Sequence, residues 1–394
     1  MSHPLRRLAA AWAATAVVAG CTIPYTMSTA PDRSCLTGSP GTAQSALTWI
    51  VPTGAADEKA LDAWCSAVGP VVIDSMPDAS FGAWQDGDSL AVVIWNLEAG
   101  SATLLEFLER ELHLQCNTAS PSTGEAFSHF VLLAQEALRR SPEIPPAPPQ
   151  AVVPPRIEGN NRPTHRMDIV KAARQCRLAL AYVPSVRNGY DEYDGEREDW
   201  GTAVLSTLPL TDFVAIEVPF ETSRRVAVGA TIHGPGGDSL RVVSLHISTF
   251  PGPWRIFRTG NSSRVRQALG FVEALRTLEA LRLGSDSALA ACYPRCQPDV
   301  PNQPPRYSIS TVAGGDLNTW SADETALQHL REHFPDSPRD DRPTRGPFPT
   351  DHLLVRTRGA GTPTFHMIPG SYSRVEDSYN SDHRARRVWI RAGQ

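Results

Sequence analysis

The chain has 394 residues, 41% hydrophobic and 20% charged, proportions of an ordinary globular protein that exclude a fibrous or wholly disordered one. That length can bury a large core and fits one large domain with an extension. Formal net charge is −5, which excludes a broadly basic nucleic-acid surface, although nearly all positive charge is arginine, Lys59 and Lys171 being the only lysines.

Arg6 and Arg7 precede an apolar run, Leu8 to Ala19, that leads into Val18-Ala19-Gly20-Cys21. A basic start, a short apolar stretch and small residues at its end predict a signal peptide over residues 1–20. The run is shorter than the roughly 20 apolar residues that span a bilayer. Its ending resembles a bacterial lipobox. That resemblance implies export, cleavage before Cys21, lipid on this cysteine and anchoring to a membrane, the outer one in a Gram-negative host because Thr22 follows. Without residues 1–20 the 37 basic residues become 35 against 42 acidic ones, a balance of −7.

With Cys21 assigned to lipid, Cys35, Cys65, Cys116, Cys176, Cys292 and Cys296 remain, an even number in an oxidising compartment, where disulfides are expected. Cys292 and Cys296 are near neighbours, Cys35 and Cys65 share the N-terminal extension, and Cys116 is left with Cys176. The rival is zinc on Cys292 and Cys296, for which the sequence offers no second Cys/His pair.

Residues 21–88 read as a tether and N-terminal extension rich in Thr, Ser, Gly, Pro and Ala, with one helical stretch from Asp57 to Ala67. The main domain is expected over 89–394. Ser89 to Trp95 predicts a buried strand, Ala102 to Leu114 a helix, and Phe130 to Ala134 a second strand. Ser141 to Pro163 has too many prolines for regular structure. Met167 to Arg177 reads as a helix, followed by strands over Leu178–Val183, Thr202–Ser206, Val214–Val218, Arg225–Ile232 and Leu240–Ile247. Ser263 to Leu283 predicts a long helix, Ser308 to Ala313 a strand, Ala322 to His333 a helix, and His352–Arg356, Thr364–Ile368 and Val388–Ile390 closing strands. Strands apolar throughout, with helices between them, predict an α/β fold of two packed, mainly antiparallel β-sheets flanked by helices, a four-layer α/β/β/α sandwich.

Polar residues stand where these strands end: Asn96 and Glu98 after the first, Gln135-Glu136 after the second, then His246, then Gly315-Asp316-Leu317-Asn318, then Asp351, and last Ser381-Asp382-His383. In this order, with the glycine-led segment Gly201 to Pro209, they resemble the signatures of the endonuclease/exonuclease/phosphatase superfamily, the deoxyribonuclease I-like enzymes. The resemblance runs from Ser89 to the C-terminus.

The chemistry accounts for these residue types. A phosphodiester repels a nucleophile, so a cation must neutralise its oxygens while a base readies water in line with the leaving group. Hard oxygen ligands imply Mg2+ or Mn2+. By the resemblance, Glu136 is the principal metal ligand, Asn96 adjoins it, and Glu98 and Asp382 are further ligands. His383 orients or deprotonates the attacking water, held by Asp351. Asp316 handles a proton of the nucleophile or leaving group, Asn318 bonds the phosphate, and His246 stabilises charge developing on the phosphoryl oxygens.

His233 and His352 also border strands and are read as structural. Arg255, Arg258, Arg264 and Arg266, with Trp254 and Phe257, are read as a helix face and loop packing rather than substrate contacts. The expected activity is hydrolysis of phosphodiester bonds by an exported nuclease with nucleic acid as substrate. A phospholipid or inositol phosphate phosphoesterase is the first alternative, and a non-catalytic binding lipoprotein is the alternative of another class. The sequence shows no protein partner.

Overall fold

The computed structural model describes residues 26–30, 47–116, 129–146, 166–187, 197–248, 263–283, 309–357 and 365–393. The signal peptide, Cys21, Cys35, Cys292, Cys296 and most of the proline-rich stretch lie outside them, as do Arg255, Arg258, Trp254 and Phe257. Among the described residues no helix is long and apolar enough to cross a membrane.

The chain begins with β1 (Met27–Thr29), β2 (Thr48–Pro52), α1 (Ala55–Cys65), β3 (Val72–Asp74), β4 (Ser89–Asn96), α2 (Leu104–Leu112) and β5 (His129–Ser141). Its middle runs through α3 (Ile169–Gln175), β6 (Ala179–Arg187), β7 (Arg197–Ser206), β8 (Thr211–Glu217), β9 (Val226–His233), β10 (Ser239–Ser244) and α4 (Ser263–Leu283). It closes with β11 (Ser310–Asp316), α5 (Thr325–His333), β12 (Asp351–Arg356), β13 (Phe365–Met367), β14 (Ser373–Arg374) and β15 (Arg386–Ala392).

Two mixed sheets result, ordered β1-β2-β8-β9-β10-β11-β12 and β13-β15-β4-β5-β7-β6-β3, with β14 on β15. Among the described residues only β2·β8, β4·β5 and β10·β11 pair in parallel. The expected four-layer architecture is the observed one, and side-chain alternation accounts for it. Along β4, Leu90, Val92 and Ile94 enter the core between the sheets, while Ala91, Val93 and Trp95 face outward beneath α2 and α3. On the other sheet Val214, Ile216, Val243 and Leu354 face outward beneath α4 and α5. Both faces of each sheet are therefore dry, which is why these strands are apolar at every position. Each fully buried Leu, Ile or Val contributes about 1.5–3 kcal/mol. Asp168 starts α3 by accepting from the amides of Val170 and Lys171.

The structure departs from the sequence reading in several places, one being that β5 runs past the expected Ala134 to Ser141, so that Glu136 lies within this strand and not after it. The sheets do not begin at Ser89: the segment read as tether and extension supplies β1 and β2 at one edge of the first sheet and β3 at one edge of the second. Strand β7 also starts at Arg197, ahead of the expected Thr202. Its charged first residues pair with β5 in the register Arg139↔Asp199 and Arg140↔Glu198. Buried Glu198 is neutralised by Arg140 and Arg166, and Asp199 by Arg139. Charge complementarity across the strands replaces the apolar alternation that sequence reading requires.

Cys116 and Cys176 form a disulfide, as expected. Cys65 is disulfide-bonded as well, and its expected partner Cys35 lies outside the described residues.

Candidate active site

Every expected polar residue lies at one edge of the two sheets. Asn96 ends β4, Asp316 ends β11, His246 follows β10, Asp351 begins β12 and His383 precedes β15. Because β12 and β15 run antiparallel to β11 and β4, their beginnings meet the other strands' ends.

Hydrogen bonds join the sheets there. Asn96 Nδ2 donates to Asp316 Oδ2 at 3.0 Å, and Gln135 Nε2 donates to Ser244 Oγ at 3.0 Å. The last loop is fixed to β4: Ser381 Oγ donates to the Asn96 carbonyl at 2.7 Å, and Trp95 Nε1 to the His383 carbonyl at 3.2 Å.

Local backbone geometry aims the carboxylates. Glu136 sits in a β-bulge between Ala134 and Ala137. It has φ 48°, as do Glu98 at 48° and Asn318 at 50°. Left-handed backbone costs an L-residue about 1–2 kcal/mol, and here it turns the side chain out of the pleat into the site. Two glycines make room for this. A Cβ at Gly201, opposite the bulge, would collide with the Val183 carbonyl. One at Gly315 would collide with the Leu245 carbonyl and sit 2.7 Å from Gln135 Nε2. Gly315 also has φ 149°, so the Gly-Asp-Leu-Asn segment requires glycine for both space and conformation.

His383 Nδ1 lies 2.8 Å from Asp351 Oδ2, which also accepts from Thr350 Oγ1 at 2.9 Å. Burial disfavours charge on the ring, but Asp351, then Asp316 and Asp382, outweigh it and hold the imidazole well above its ordinary range. Burial would raise the Asp351 carboxyl too, yet the His383 charge and the bonds from His383, Thr344 and Thr350 hold it down. His383 Nε2 is buried without a hydrogen-bond partner, 3.7 Å from Asp316 Oδ2 and 3.6 Å from Asp382 Oδ1.

His246 faces the same oxygen from the other side, its Nε2 lying 3.5 Å from Asp316 Oδ2 and 4.0 Å from Glu136 Oε1. Arg225 Nη1 lies 3.1 Å from His246 Nδ1. Burial, and then Arg225, push His246 well below its ordinary value, so the ring is neutral. Asn318 Nδ2 donates to the Ile247 carbonyl at 2.9 Å and stands 3.3 Å from His246 Nε2. Burial pushes the Asp316 carboxyl up, with the His383 charge opposing.

Glu98 Oε2 accepts from the Asp382 amide at 3.0 Å. Its carboxyl is raised by burial and then by repulsion from Asp382, with Glu136 adding to it. Three carboxylates thus crowd together, and Arg345 meets one of them, Asp382, at 2.6 Å. Hard oxygen donors under mutual repulsion suit a magnesium- or manganese-like cation. Asn96 sits beside them, its Oδ1 accepting from the Glu98 amide at 2.9 Å. The tightest grouping of ligand-type atoms among the described residues is instead Asp316, Asp351 and His383, within 4.8 Å of one another. Its His383–Asp351 members are already joined through Nδ1, which marks them as a proton-handling pair rather than two ligands.

Sequence reading missed Arg225, Arg345, Thr344 and Thr350. An arginine opening a strand or standing in a turn carries no sequence signal, whereas Thr350 adjoins Asp351 and was within reach. The histidines read as structural have local partners: His233 meets Thr211 and Ser239, and buried His352 meets Thr319 at 2.8 Å. Arg264 pairs with Glu324 at 2.7 Å, and Arg266 with Asp57 at 3.0 Å.

No protein-family model matches the chain, and no curated protein matches it. Solved structures do. An endonuclease/exonuclease/phosphatase from Beutenbergia cavernae is similar at 16% identity and TM-score 0.44, over 78% of this chain and 72% of that one. The human nocturnin catalytic domain is similar at 13% identity and TM-score 0.44, over 81% and 100%. Sphingomyelinase C from Streptomyces griseocarneus is similar at 16% identity and TM-score 0.38, over 77% and 99%.

Proposed function

We propose that this chain is a divalent-cation-dependent phosphoesterase that hydrolyses phosphodiester bonds, and that it acts as an exported nuclease held to a membrane by lipid on Cys21. The observation that carries the phosphoesterase reading is the convergence on Asp316 Oδ2 of two imidazoles in opposite states, His383 raised and paired with Asp351, His246 lowered and neutral. Each ring is held through Nδ1, His383 by Asp351 and His246 by Arg225, so that both turn Nε2 toward the same oxygen.

In this mechanism His383 Nε2 takes a proton from water attacking phosphorus, and Asp351 holds the ring through Nδ1 and stabilises its charge. His246 and Asn318 direct two N–H donors at the phosphoryl oxygens, where negative charge grows. Asp316, which burial keeps near neutrality, protonates the departing oxygen as the P–O bond breaks. Glu136, with Glu98, Asp382 and Asn96, would hold magnesium or manganese, which when bound neutralises phosphate charge and offsets the carboxylate field that keeps His383 protonated.

Export is supported by the sequence of residues 1–21 and by the Cys116–Cys176 disulfide, which suits an oxidising compartment. The deciding experiment is turnover of bis-p-nitrophenyl phosphate, plasmid DNA and RNA by purified protein with magnesium or manganese, beside His383→Ala. Metal-dependent cleavage lost in the variant is expected. Inactivity on all three substrates removes the nuclease reading and moves the choice to phospholipid and inositol phosphate esters, then to a binding role.

A further inference from the structure

Two aromatic rings stand on the rim of this site. Trp320 and Phe348 stack with centroids 5.6 Å apart and planes at 30°, although 46% and 38% of them are exposed. The other exposed large hydrophobics among the described residues are Met76, beyond β3 at the far edge of its sheet, and Leu281 near the end of α4. Trp320 comes two residues after Asn318, and Phe348 three before Asp351.

Their supports lead back to the catalytic groups. Thr319 Oγ1 donates to the Pro349 carbonyl at 2.7 Å, joining the two loops. Phe348 closes a tight turn with Arg345, whose amide donates to the Phe348 carbonyl at 3.1 Å, and Gly346 supplies a φ of 51°. The turn is anchored by Thr344, whose Oγ1 accepts from the amides of Thr350 and Asp351, each at 3.1 Å. On that turn Arg345 places Nη2 2.6 Å from Asp382 Oδ2 and keeps 44% of its side chain open to solvent.

We propose that Trp320, Phe348 and Arg345 form a subsite for one nucleotide unit beside the scissile phosphate, the ring pair taking the base and the guanidinium a phosphate oxygen. A guanidinium one tight turn away from flat, solvent-facing aromatic surface is the pairing a nucleotide presents, with its phosphate and its base. A bilayer calls for a broader apolar face than two rings, and the net charge of −5 gives no general attraction to an anionic surface. The same charge argues for a short or single-stranded ligand over a duplex tracked by many cations. This subsite rests on the phosphoesterase reading and names its substrate class.

The test is calorimetric titration of the full-length His383→Ala protein, in detergent with magnesium, using thymidylyl-thymidine and the dinucleotide of equal charge that has no bases. Base stacking is worth about tenfold in affinity per base, so the base-bearing ligand should bind about tenfold more tightly. Trp320→Leu and Phe348→Leu should each remove that preference without changing affinity for the base-free ligand, and Arg345→Gln should weaken both. Equal affinities, a preference unmoved by either aromatic variant, or no binding of thymidylyl-thymidine overturns the proposal. So does loss in these variants of binding to phosphatidylcholine vesicles, or of a self-associated state in sedimentation, which would reassign the pair to lipid or to a second copy. Wild-type turnover separates the two failures: cleavage of bis-p-nitrophenyl phosphate with no base preference sinks the subsite alone, and inactivity on it, plasmid DNA and RNA sinks the nuclease reading beneath it.

Discussion

Arg225 donates from Nη1 to His246 Nδ1 across 3.1 Å, and a guanidinium has no lone pair with which to accept. The imidazole is therefore unprotonated at Nδ1 and carries its hydrogen on Nε2, the atom that faces Asp316 and Glu136. Arg225 is buried, lies 5.2 Å from the centre of the Trp200 ring, and has no hydrogen-bond partner at Nε. A cation held in this way contributes little to stability, and fixing a tautomer is what it can do for the site. Arg225→Met should lower kcat about 10- to 100-fold, as loss of an orienting partner does, and Arg225→Lys should recover part of it. Long-range proton–nitrogen NMR correlations of His246 check the cause, since the Nε2–H signature should become a tautomer mixture in the methionine variant only.

Asp351 tests the other imidazole. Replacing it with Asn keeps the shape but offers an amide that can stabilise the wrong tautomer of His383, and removes the charge opposite the imidazolium. A fall in kcat of about 10³- to 10⁴-fold is expected, the scale seen when an orienting carboxylate is neutralised in a Ser-His-Asp triad. Rates on bis-p-nitrophenyl phosphate, with circular dichroism to confirm folding, decide it. A variant within tenfold of wild type would show that His383 is not the base.

Glu136 carries the cation prediction. Glu136→Gln removes a charge from the group of three carboxylates while keeping its volume, and manganese affinity measured by electron paramagnetic resonance should fall about 10- to 100-fold. Unchanged affinity would move the metal to other residues.

Much of this was legible in the sequence for a physical reason. In the parallel-paired strands β4 and β5 both faces are buried, so the apolar runs are uninterrupted and a polar residue at their end stands out. Asn96 at the end of β4 and Asp316 at the end of β11, which also has a parallel neighbour, were found in that way, and Glu136 stood out where the bulge interrupts the apolar run of β5. The pairing of Cys116 with Cys176 was reached by elimination. What was hidden depends on contacts between distant segments: β7 begins in a charged stretch because Arg139 and Arg140 lie across from it, and Arg225 acts on a histidine 21 residues away. Edge strands β1 and β3, of three residues each, are too short for any alternation to register.

The disulfide closes a 60-residue separation between the segment after α2 and the end of α3. Chain-entropy arguments give such a loop about 4 kcal/mol, and measured losses run at about 2–5 kcal/mol. Cys116→Ser with Cys176→Ser should lose about that much in urea unfolding. Less than about 1 kcal/mol would mean that packing of α2 and α3 on the sheet already confines this loop.

His333 at the end of α5 should carry one share of the stability lost below pH 6.5, beside His246 and His352, which burial also pushes down. It is buried, accepts from Arg356 Nη1 at Nε2, and is pushed down to about 2 by burial and then by Arg356 and Arg276. The folded protein keeps this ring neutral while the unfolded chain protonates it below its ordinary value of 6.5. The penalty is thus absent above pH 6.5 and grows by about 1.4 kcal/mol per pH unit below it, toward about pH 2. His383 is raised, so its contribution is already complete below pH 6.5 and adds no slope there. Asp351 is lowered, and its contribution is lost only as pH falls below 3.8. His333→Gln keeps an acceptor for Arg356 but cannot titrate. Between pH 6.5 and 4.5 wild type should therefore lose about 2.3 kcal/mol more than the variant in chemical unfolding. Parallel pH profiles for the two proteins would show that the folded state protonates His333 after all.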